Sequence, residues 1–354
     1  MNMINLSSFD YHLPKELIAQ YPAEKRRLSK LLVLDRDKKT IQHRKFTDLI
    51  DFLTEGDCLV LNNTYVIPAR LKAERESTGA KLEVLLIRKI QPFIYQVLIK
   101  PSKRAKVEDQ IVIGRNKIKA KVIEDNPPEK RLKFDKIEDL DRLLEEEGSV
   151  PLPPYIKRIP EELDKDRYQT VFAKNKGAIA APTAGLHFDK DYLGQIEQKG
   201  TKICYLTLHI SYGTFKPITE QDLEKGKLFS EYYRIDTDTI DTLNKVKTRN
   251  KRIIAVGTTS CRALESAAKN EKIYPVESQT ELFIYPPYKF KFTDCLLTNF
   301  HLPKSSLLML VSAFCSNGGN LTIDEGHRFL MEAYKRAIDK KYRFYSYGDV
   351  MLVI

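Results

Sequence analysis

The 354-residue chain is poor in the residue patterns that build metal sites, disulfide frameworks and membrane spans. Its five cysteines, Cys58, Cys204, Cys261, Cys295 and Cys315, are scattered and form no C-x-x-C pair, so neither a disulfide framework nor a cysteine zinc site is expected. Its six histidines include no H-E-x-x-H and no close pair, and no bound metal is expected. The longest useful apolar run, LLMLVSAF at 307–314, falls far short of the ~20 residues of a membrane-spanning helix. The amino-terminal MNMINLSSFDYHLPKEL lacks a basic segment followed by an apolar one, which is the pattern of a secretory signal. A cytoplasmic protein with no membrane partner is the expectation. Neither G-x-G-x-x-G nor G-x-x-x-x-G-K-[ST] occurs, which removes the standard dinucleotide fingerprint and the P-loop.

What the chain does have is positive charge: 59 Lys+Arg against 48 Asp+Glu, a net +11. A basic field favours nucleic acid or another polyanion, although a lysine-rich composition produces the same sum with no partner at all. The clusters AEKRRLSK, KRAK and KTRNKR are separate, and acidic residues intervene. With 42% hydrophobic and 30% charged residues the composition is globular. The length fits about two domains.

The organisation changes twice along the chain. LPKELIAQY (13–21) has Pro14 in a tolerant first turn and Leu17, Ile18 and Tyr21 at helical spacing, so it reads as a helix. KLLVLDRDKKTIQHRKF (30–46) reads as a hairpin, TDLIDFL (47–53) as a short helix capped by Thr47, and DCLVLNN (57–63) as a buried strand. From about 64, six short β-like runs follow at near-regular spacing, the pattern of a small barrel or sandwich. IEDLDRLLEEEG (137–148) reads as a helix, and the proline-rich PLPPYIKR (151–158) as an extended return. Beyond 160, strands (201–211, 251–257, 293–300) alternate with helices (238–249, 260–269, 303–319, 323–341), the first of the last two stopped by Gly318-Gly319. Thr322 and Glu325 form a capping box for the final helix. The fold class expected is an α/β layered main domain (1–63 and 156–354) with an inserted all-β barrel-like domain (64–155).

Four segments stand out chemically. GAIAAPTAGLHF (177–188) runs twelve residues without a charge and ends near His187; small residues let a backbone lie close to something flat or bulky. RIIAVGTTSCRALES (252–266) takes a strand through Gly257 and three hydroxyl residues into a helix, a turn suited to an anion. There Arg262 either clamps that anion or pairs with Glu265 at i, i+3. TLHISYGTF (207–215) places His209 on the polar side of an alternating strand, with Gly213 at a bend. TNFHLPKSS (298–306) puts His301 between a strand end and a helix start, where ligands gather in α/β sheets.

These segments, together with LVLNNTYVIPARL, RYQTVFA, SEYY, LFIYPPYKF, LLTNFHLPKSSLLMLVSAF and YRFYSYGDVMLVI, occur in one order almost end to end. In that order the chain resembles the S-adenosylmethionine:tRNA ribosyltransferase-isomerase family of queuosine biosynthesis, least closely over 88–148. The resemblance implies that the ribosyl moiety of S-adenosylmethionine moves onto 7-aminomethyl-7-deazaguanine at the tRNA wobble position. It is rearranged there to the epoxycyclopentanediol of epoxyqueuosine, with release of adenine and methionine. It implies a monomer, tRNA and S-adenosylmethionine as partners, the latter a co-substrate, and no bound cofactor. Three stretches depart from the family: Asn63-Thr64-Tyr65 replaces an Asp-Thr-Arg, LHISYGTF stands where LHVGLGTF is commoner and so changes the neighbours of His209, and Phe229 stands where a histidine often precedes Ser-Glu-Tyr-Tyr.

The sulfonium acidifies the neighbouring ribose carbon, so a positioned base begins the reaction, and the departing adenine needs a hydrogen bond or proton. His187, His209 and His301 are the catalytic candidates, with the base not assigned among them; His187 is expected to face the sugar. Candidate substrate-binding residues are Ala181, Pro182, Thr183, Gly185, Phe188, Tyr212, Gly213, Thr214, Thr258, Thr259, Ser260, Arg262, Glu265 and Asn299. A conventional RNA methyltransferase is disfavoured by the missing glycine fingerprint, and a non-catalytic RNA-binding module by three histidines in uncharged contexts.

Overall fold

The apolar runs read as strands are buried on both faces, and this builds the larger part of the molecule. The computed structural model describes residues 5–354 apart from 116, 136–139, 216–217 and 318–320. The chain forms two compact units: Met1–Tyr65, Pro153–Arg158 and Asp166–Ile354 make one, and Val66–Leu152 with Ile159–Lys165 the other.

The larger unit carries a nine-stranded sheet. Its strands are β1 (Lys30–Asp35), β2 (Thr40–Lys45), β3 (Cys58–Asn62), β10 (Lys202–Leu208), β11 (Lys227–Ile235), β12 (Ile253–Val256), β13 (Val276–Leu282), β14 (Cys295–Asn299) and β15 (Val350–Val353). The smaller unit contributes β4–β9 between them, described below. The spatial order is β13-β11-β10-β3-β12-β14-β15-β1-β2. The four central strands β10, β3, β12 and β14 run parallel, and the outer pairs are antiparallel apart from β1 with β15. Side chains alternate between faces every residue. Leu31, Val33, Leu59, Leu61, Ile254 and Val256 pack on one side; Leu32, Leu34, Cys58, Val60, Ile253 and Ala255 pack on the other. That double burial is why these strands read as continuous apolar runs.

Helices cover both faces. Thr237–Thr248, Thr258–Ala267, Ser306–Cys315 and Ile323–Asp339 lie on the second face, and Lys190–Gln198 lies on the first through Tyr192, Leu193 and Ile196. The capping box of Thr322 and Glu325 is present. Helix Ser306–Cys315 is closed by Ser316; the Gly318-Gly319 stop lies outside the described residues.

Two helices expected near the amino terminus are altered. In 13–21 only a 3-10 turn, Lys15–Leu17, forms. The chain there bonds to the carboxy-terminal segment instead of to itself, with Phe344 N donating to Leu17 O (2.8 Å) and Ala19 N to Phe344 O (3.3 Å). The short helix at 47–53 is a 3-10 helix, Phe46–Phe52, that starts one residue early. Its entry is fixed by Lys45 N–H donating to Asp48 Oδ2 at 3.0 Å, so Thr47 is not the cap. Strands β11 and β13 were not expected; β13 forms one edge of the sheet and β11 lies next to it, and both carry many polar residues.

The smaller unit is a closed antiparallel barrel of six strands: β4 (Arg70–Arg75), β5 (Lys81–Gln91), β6 (Ile94–Lys100), β7 (Gln110–Ile113), β8 (Ile118–Asn126) and β9 (Glu129–Phe134). Alternating apolar residues such as Val84, Val97, Ile111, Val122 and Leu132 are buried. Closure leaves no unpaired edge. Cross-strand ion pairs such as Arg131–Glu124 (2.6 Å) and Arg75–Asp109 (2.6 Å) line its outside.

Candidate functional site

Ligands in open α/β sheets collect beyond the carboxyl ends of the strands, where neighbouring strands connect in opposite directions. In this sheet that point is β3, flanked by β10 on one side and β12 on the other. Asn62 at the end of β3 ties the two sides together. Its Nδ2 donates to Leu208 O (2.9 Å) and Thr259 Oγ1 (3.3 Å), and its Oδ1 accepts from Leu208 N (3.0 Å) and Thr64 N (3.1 Å). In the sequence Asn62 was only the polar end of a strand.

Above these strand ends lies a cavity. Its wall is Ala180–Ala184, Gly257–Thr259, Thr298–Leu302 and Tyr345–Ser346, with Tyr155, Ile210, Ser305 and Leu307. Four of the motif segments therefore converge on one space. No lining residue carries a fixed charge, and His301 is the one imidazole among them. Gly257 begins helix Thr258–Ala267 with φ +88°, a conformation that costs glycine nothing and other residues about 1 kcal/mol or more.

Of the sequence candidates, Ala181, Pro182, Thr183, Thr258, Thr259, Asn299 and His301 line the cavity. Thr183 Oγ1 donates to Asn299 Oδ1 at 2.7 Å, which fixes the amide's orientation. His301 is 8% exposed. Its Nε2 lies 3.3 Å from Thr298 Oγ1, and its buried Nδ1 has no partner among the described residues. Burial pulls its pKa down to about 3, so the ring is neutral at physiological pH. The peptide is clamped from both sides: His301 N–H donates to Tyr334 Oη (3.0 Å), and Tyr11 Oη donates to the His301 carbonyl.

The other two histidines are elsewhere. His187 does not face the cavity, contrary to expectation. The 3-10 turn Thr183–His187 carries the chain inward, and His187 Nδ1 meets Ser29 Oγ at 2.7 Å while Nε2 is 3.5 Å from Asn299 Nδ2. Its ring packs on Phe46 with centroids 5.4 Å apart. Burial, then Arg343 and Arg26, lower its pKa to about 3. His209 is half-buried, stacked on Tyr232 (5.1 Å) and bonded through Nδ1 to Thr64 Oγ1 (2.8 Å); burial lowers its pKa. A Cβ on Gly177 would stand 2.6 Å from His209 Nε2, so the first glycine of the small-residue run makes room for this ring.

Arg262 and Glu265 require correction on both readings. They neither pair with each other nor line the cavity. The Arg262 guanidinium is bonded to the Glu231 carboxylate, with both side chains under a tenth exposed, and its Nε donates to Leu282 O at 3.1 Å. Glu265 accepts backbone N–H groups of Lys291 (2.7 Å), Thr293 (2.9 Å) and Phe292 (3.1 Å). Both therefore hold distant segments together. Glu231 also accepts from Ser211 N at 2.8 Å; it sits in SEYY, where sequence offered no partner for it.

The remaining candidates also stand outside the cavity wall. Ser260 is completely buried. Phe188 packs edge-on against Phe46 with centroids 5.0 Å apart. A Cβ on Gly185 would lie 2.9 Å from Phe172 Cζ, and one on Gly213 2.2 Å from Phe229 Cδ2, so both glycines admit aromatic neighbours. Tyr212 belongs with Gly213 to the 3-10 turn Tyr212–Phe215; the side chain of Thr214 lies outside the described residues. Tyr155, Ser305 and Tyr345 were not among the sequence candidates, although each lies in a segment that the sequence singles out.

Among the described residues no group of three or more His, Cys, Asp or Glu is arranged to hold a metal, and no helix is long and apolar enough to cross a membrane. All five cysteines are buried and free.

A family model described as "Queuosine biosynthesis protein" matches residues 6–353. An S-adenosylmethionine:tRNA ribosyltransferase-isomerase of Sulfurihydrogenibium sp. (strain YO3AOP1) is 50% identical over 351 residues, 99% of this chain and 100% of that protein. Its namesake from Acetivibrio thermocellus is 46% identical over 99% of this chain and 100% of that protein. A solved structure, the S-adenosylmethionine tRNA ribosyltransferase of Thermotoga maritima, is 36% identical, covers 98% of this chain and 100% of that one, and superposes with a TM-score of 0.55.

Proposed function

The chain belongs to the queuosine biosynthesis protein family, and from that premise we propose that the cavity of its larger unit is where S-adenosylmethionine binds and reacts. The activity is that of an S-adenosylmethionine:tRNA ribosyltransferase-isomerase. In the reaction we propose, the ribosyl group passes to 7-aminomethyl-7-deazaguanine at the tRNA wobble position and rearranges to the epoxycyclopentanediol of epoxyqueuosine, while adenine and methionine leave. S-adenosylmethionine is consumed as a co-substrate, and the enzyme acts as a cytoplasmic monomer without a bound cofactor.

The convergence of the small-residue wall, the Gly257 turn and the His301 loop on one uncharged cavity carries this reading. Ala180–Ala184 leaves the flat space a purine needs. Thr183, Thr258 and Thr259 supply hydroxyls in an otherwise apolar wall, the few placed polar groups that orient a ligand. Tyr155 and Tyr345 in the wall pack with ring centroids 4.7 Å apart, and aromatic faces attract a cation such as a sulfonium. The positive excess of the sequence falls mainly on this unit, in keeping with a tRNA substrate.

Product analysis tests the proposal. Incubating the enzyme with S-adenosylmethionine and tRNA carrying the aminomethyl base is expected to release adenine and methionine in equal amounts. S-adenosylhomocysteine as the product would show methyl transfer instead, and no product at all would show a binding protein.

A further inference from the structure

Three histidines stand near strand ends, and their surroundings sort them. Both ring nitrogens of His187 have neighbours in the protein, Ser29 at 2.7 Å and Asn299 at 3.5 Å. His209 is stacked on Tyr232 and bonded to Thr64 outside the cavity wall. His301 alone of the three combines a place in that wall with a buried ring nitrogen that has no partner among the described residues. Leaving such a group unsatisfied costs about 1–3 kcal/mol, and in the cavity wall a bound substrate is able to supply the partner.

We infer that His301 is a catalytic residue that works as a neutral hydrogen-bond donor: its Nδ1–H bonds the departing adenine. The inference rests on the cavity being the S-adenosylmethionine site. We assign the Thr298 hydroxyl as the donor to Nε2 (3.3 Å), which places the ring proton on Nδ1. When the bond from ribose C1′ to the adenine nitrogen breaks, its electron pair moves onto the purine. The Nδ1–H stabilises that developing charge, keeps its own proton, and the free adenine is protonated by water. A preorganised donor aimed at developing charge is worth about 10²–10³ in rate.

The surroundings keep the ring neutral. Every other residue of the cavity wall is uncharged, and burial alone drives the His301 pKa down. Buried Tyr334 and half-buried Tyr11 grip its peptide, and burial raises the pKa of both phenols; it does the same for Tyr155 and Tyr345 in the wall. None titrates near neutrality. Tyr334 and Tyr11 are then positioning residues, because their hydroxyls fix the peptide that aims the ring.

The test uses the full-length enzyme, S-adenosylmethionine binding by equilibrium dialysis, and single-turnover adenine release from pH 5.5 to 9. His301→Ala should slow release about 10²–10³-fold. An asparagine amide nitrogen falls where the ring Nδ1 stood, whereas a glutamine places its amide near the Nε2 position. His301→Asn should therefore stay within about tenfold of the parent rate, and His301→Gln should be as slow as His301→Ala. Tyr334→Phe should lower kcat several-fold with KM for tRNA unchanged. Parent-like release by His301→Ala while dialysis shows normal binding would overturn the assignment. So would His301→Asn as slow as His301→Ala together with loss of a pH limb near 6–7, since that marks an imidazolium acid. A parent enzyme that yields S-adenosylhomocysteine overturns the reading of the cavity, and the assignment with it.

Discussion

The wall of the cavity and the layer of polar residues beside it were read from the same motifs, yet they obey opposite rules. The wall has small residues, hydroxyls and one imidazole with an unpartnered nitrogen. The neighbouring layer is charged and bonded within the protein: Arg262 to Glu231, Glu265 to three backbone amides, His187 to Ser29. Buried charges persist only when paired, because desolvation is costly. The wall bonds several of its polar groups within the protein, Thr183 to Asn299 and Thr298 to His301, and leaves His301 Nδ1 without a partner among the described residues. Charge, paired and turned away from the cavity, distinguishes the layer from the wall.

The sharpest break of that comparison is Arg262→Ala. It strands Glu231 in the interior, and a loss of about 3–5 kcal/mol in urea unfolding is expected. Affinity for S-adenosylmethionine, measured on the fraction that stays folded, should be unchanged. Normal stability with lost affinity would move Arg262 into the wall.

Acid should act on both regions. His187 and His301 have folded pKa values of about 3, below the ordinary 6.5 or so. Below pH 6.5 the unfolded chain takes up protons that the folded one refuses, so stability falls as pH drops from about 6.5 toward 3. It is fully present above that window. The slope is about 1.4 kcal/mol per pH unit for each ring, or between 2 and 3 kcal/mol from pH 6 to pH 5 for the two, as a rough sum. His187→Phe should lower the slope by up to about 1.4 kcal/mol per pH unit in denaturation curves at several pH values, and an unchanged slope would show that His187 is protonated in the fold.

His187→Ala should separate the histidines directly. Loss of the Ser29 bond and the void left behind amount to about 2 kcal/mol, while adenine release stays within a few-fold of the parent. A drop as large as that of His301→Ala would place His187 at the reacting sugar after all. The smallest effect on stability belongs to the wall: Thr183→Val should cost under about 1 kcal/mol. It should weaken S-adenosylmethionine binding up to about tenfold, because Asn299 loses the hydroxyl that fixes its amide. Dialysis beside thermal melts decides it.

Much of this molecule was legible in one dimension. Strands such as LLVL and LVLN announce themselves because residues buried on both sheet faces make unbroken apolar runs. The capping box at Thr322 was legible because its two partners are three residues apart. Residues 13–21 misled because their helical spacing is real, but hydrogen bonds to Leu17 and Ala19 come from Phe344, more than three hundred residues away. Arg262 misled for the same reason. Glu265 is its neighbour in sequence, and Glu231, across the fold, is its partner.

By itself the sequence determined much of the element pattern, the barrel's insertion into an α/β frame, and which segments stand out chemically. Periodicity, turn residues and small-residue runs are local, and local signals survive without coordinates. Only the tertiary structure decided which of three equivalent-looking histidines stands in the cavity wall. A histidine's role is set by which groups meet its two ring nitrogens. For His187 and His209 those groups are Ser29 and Thr64, each more than a hundred residues distant. For His301, Nε2 meets a hydroxyl three residues away, and the other nitrogen has no partner among the described residues.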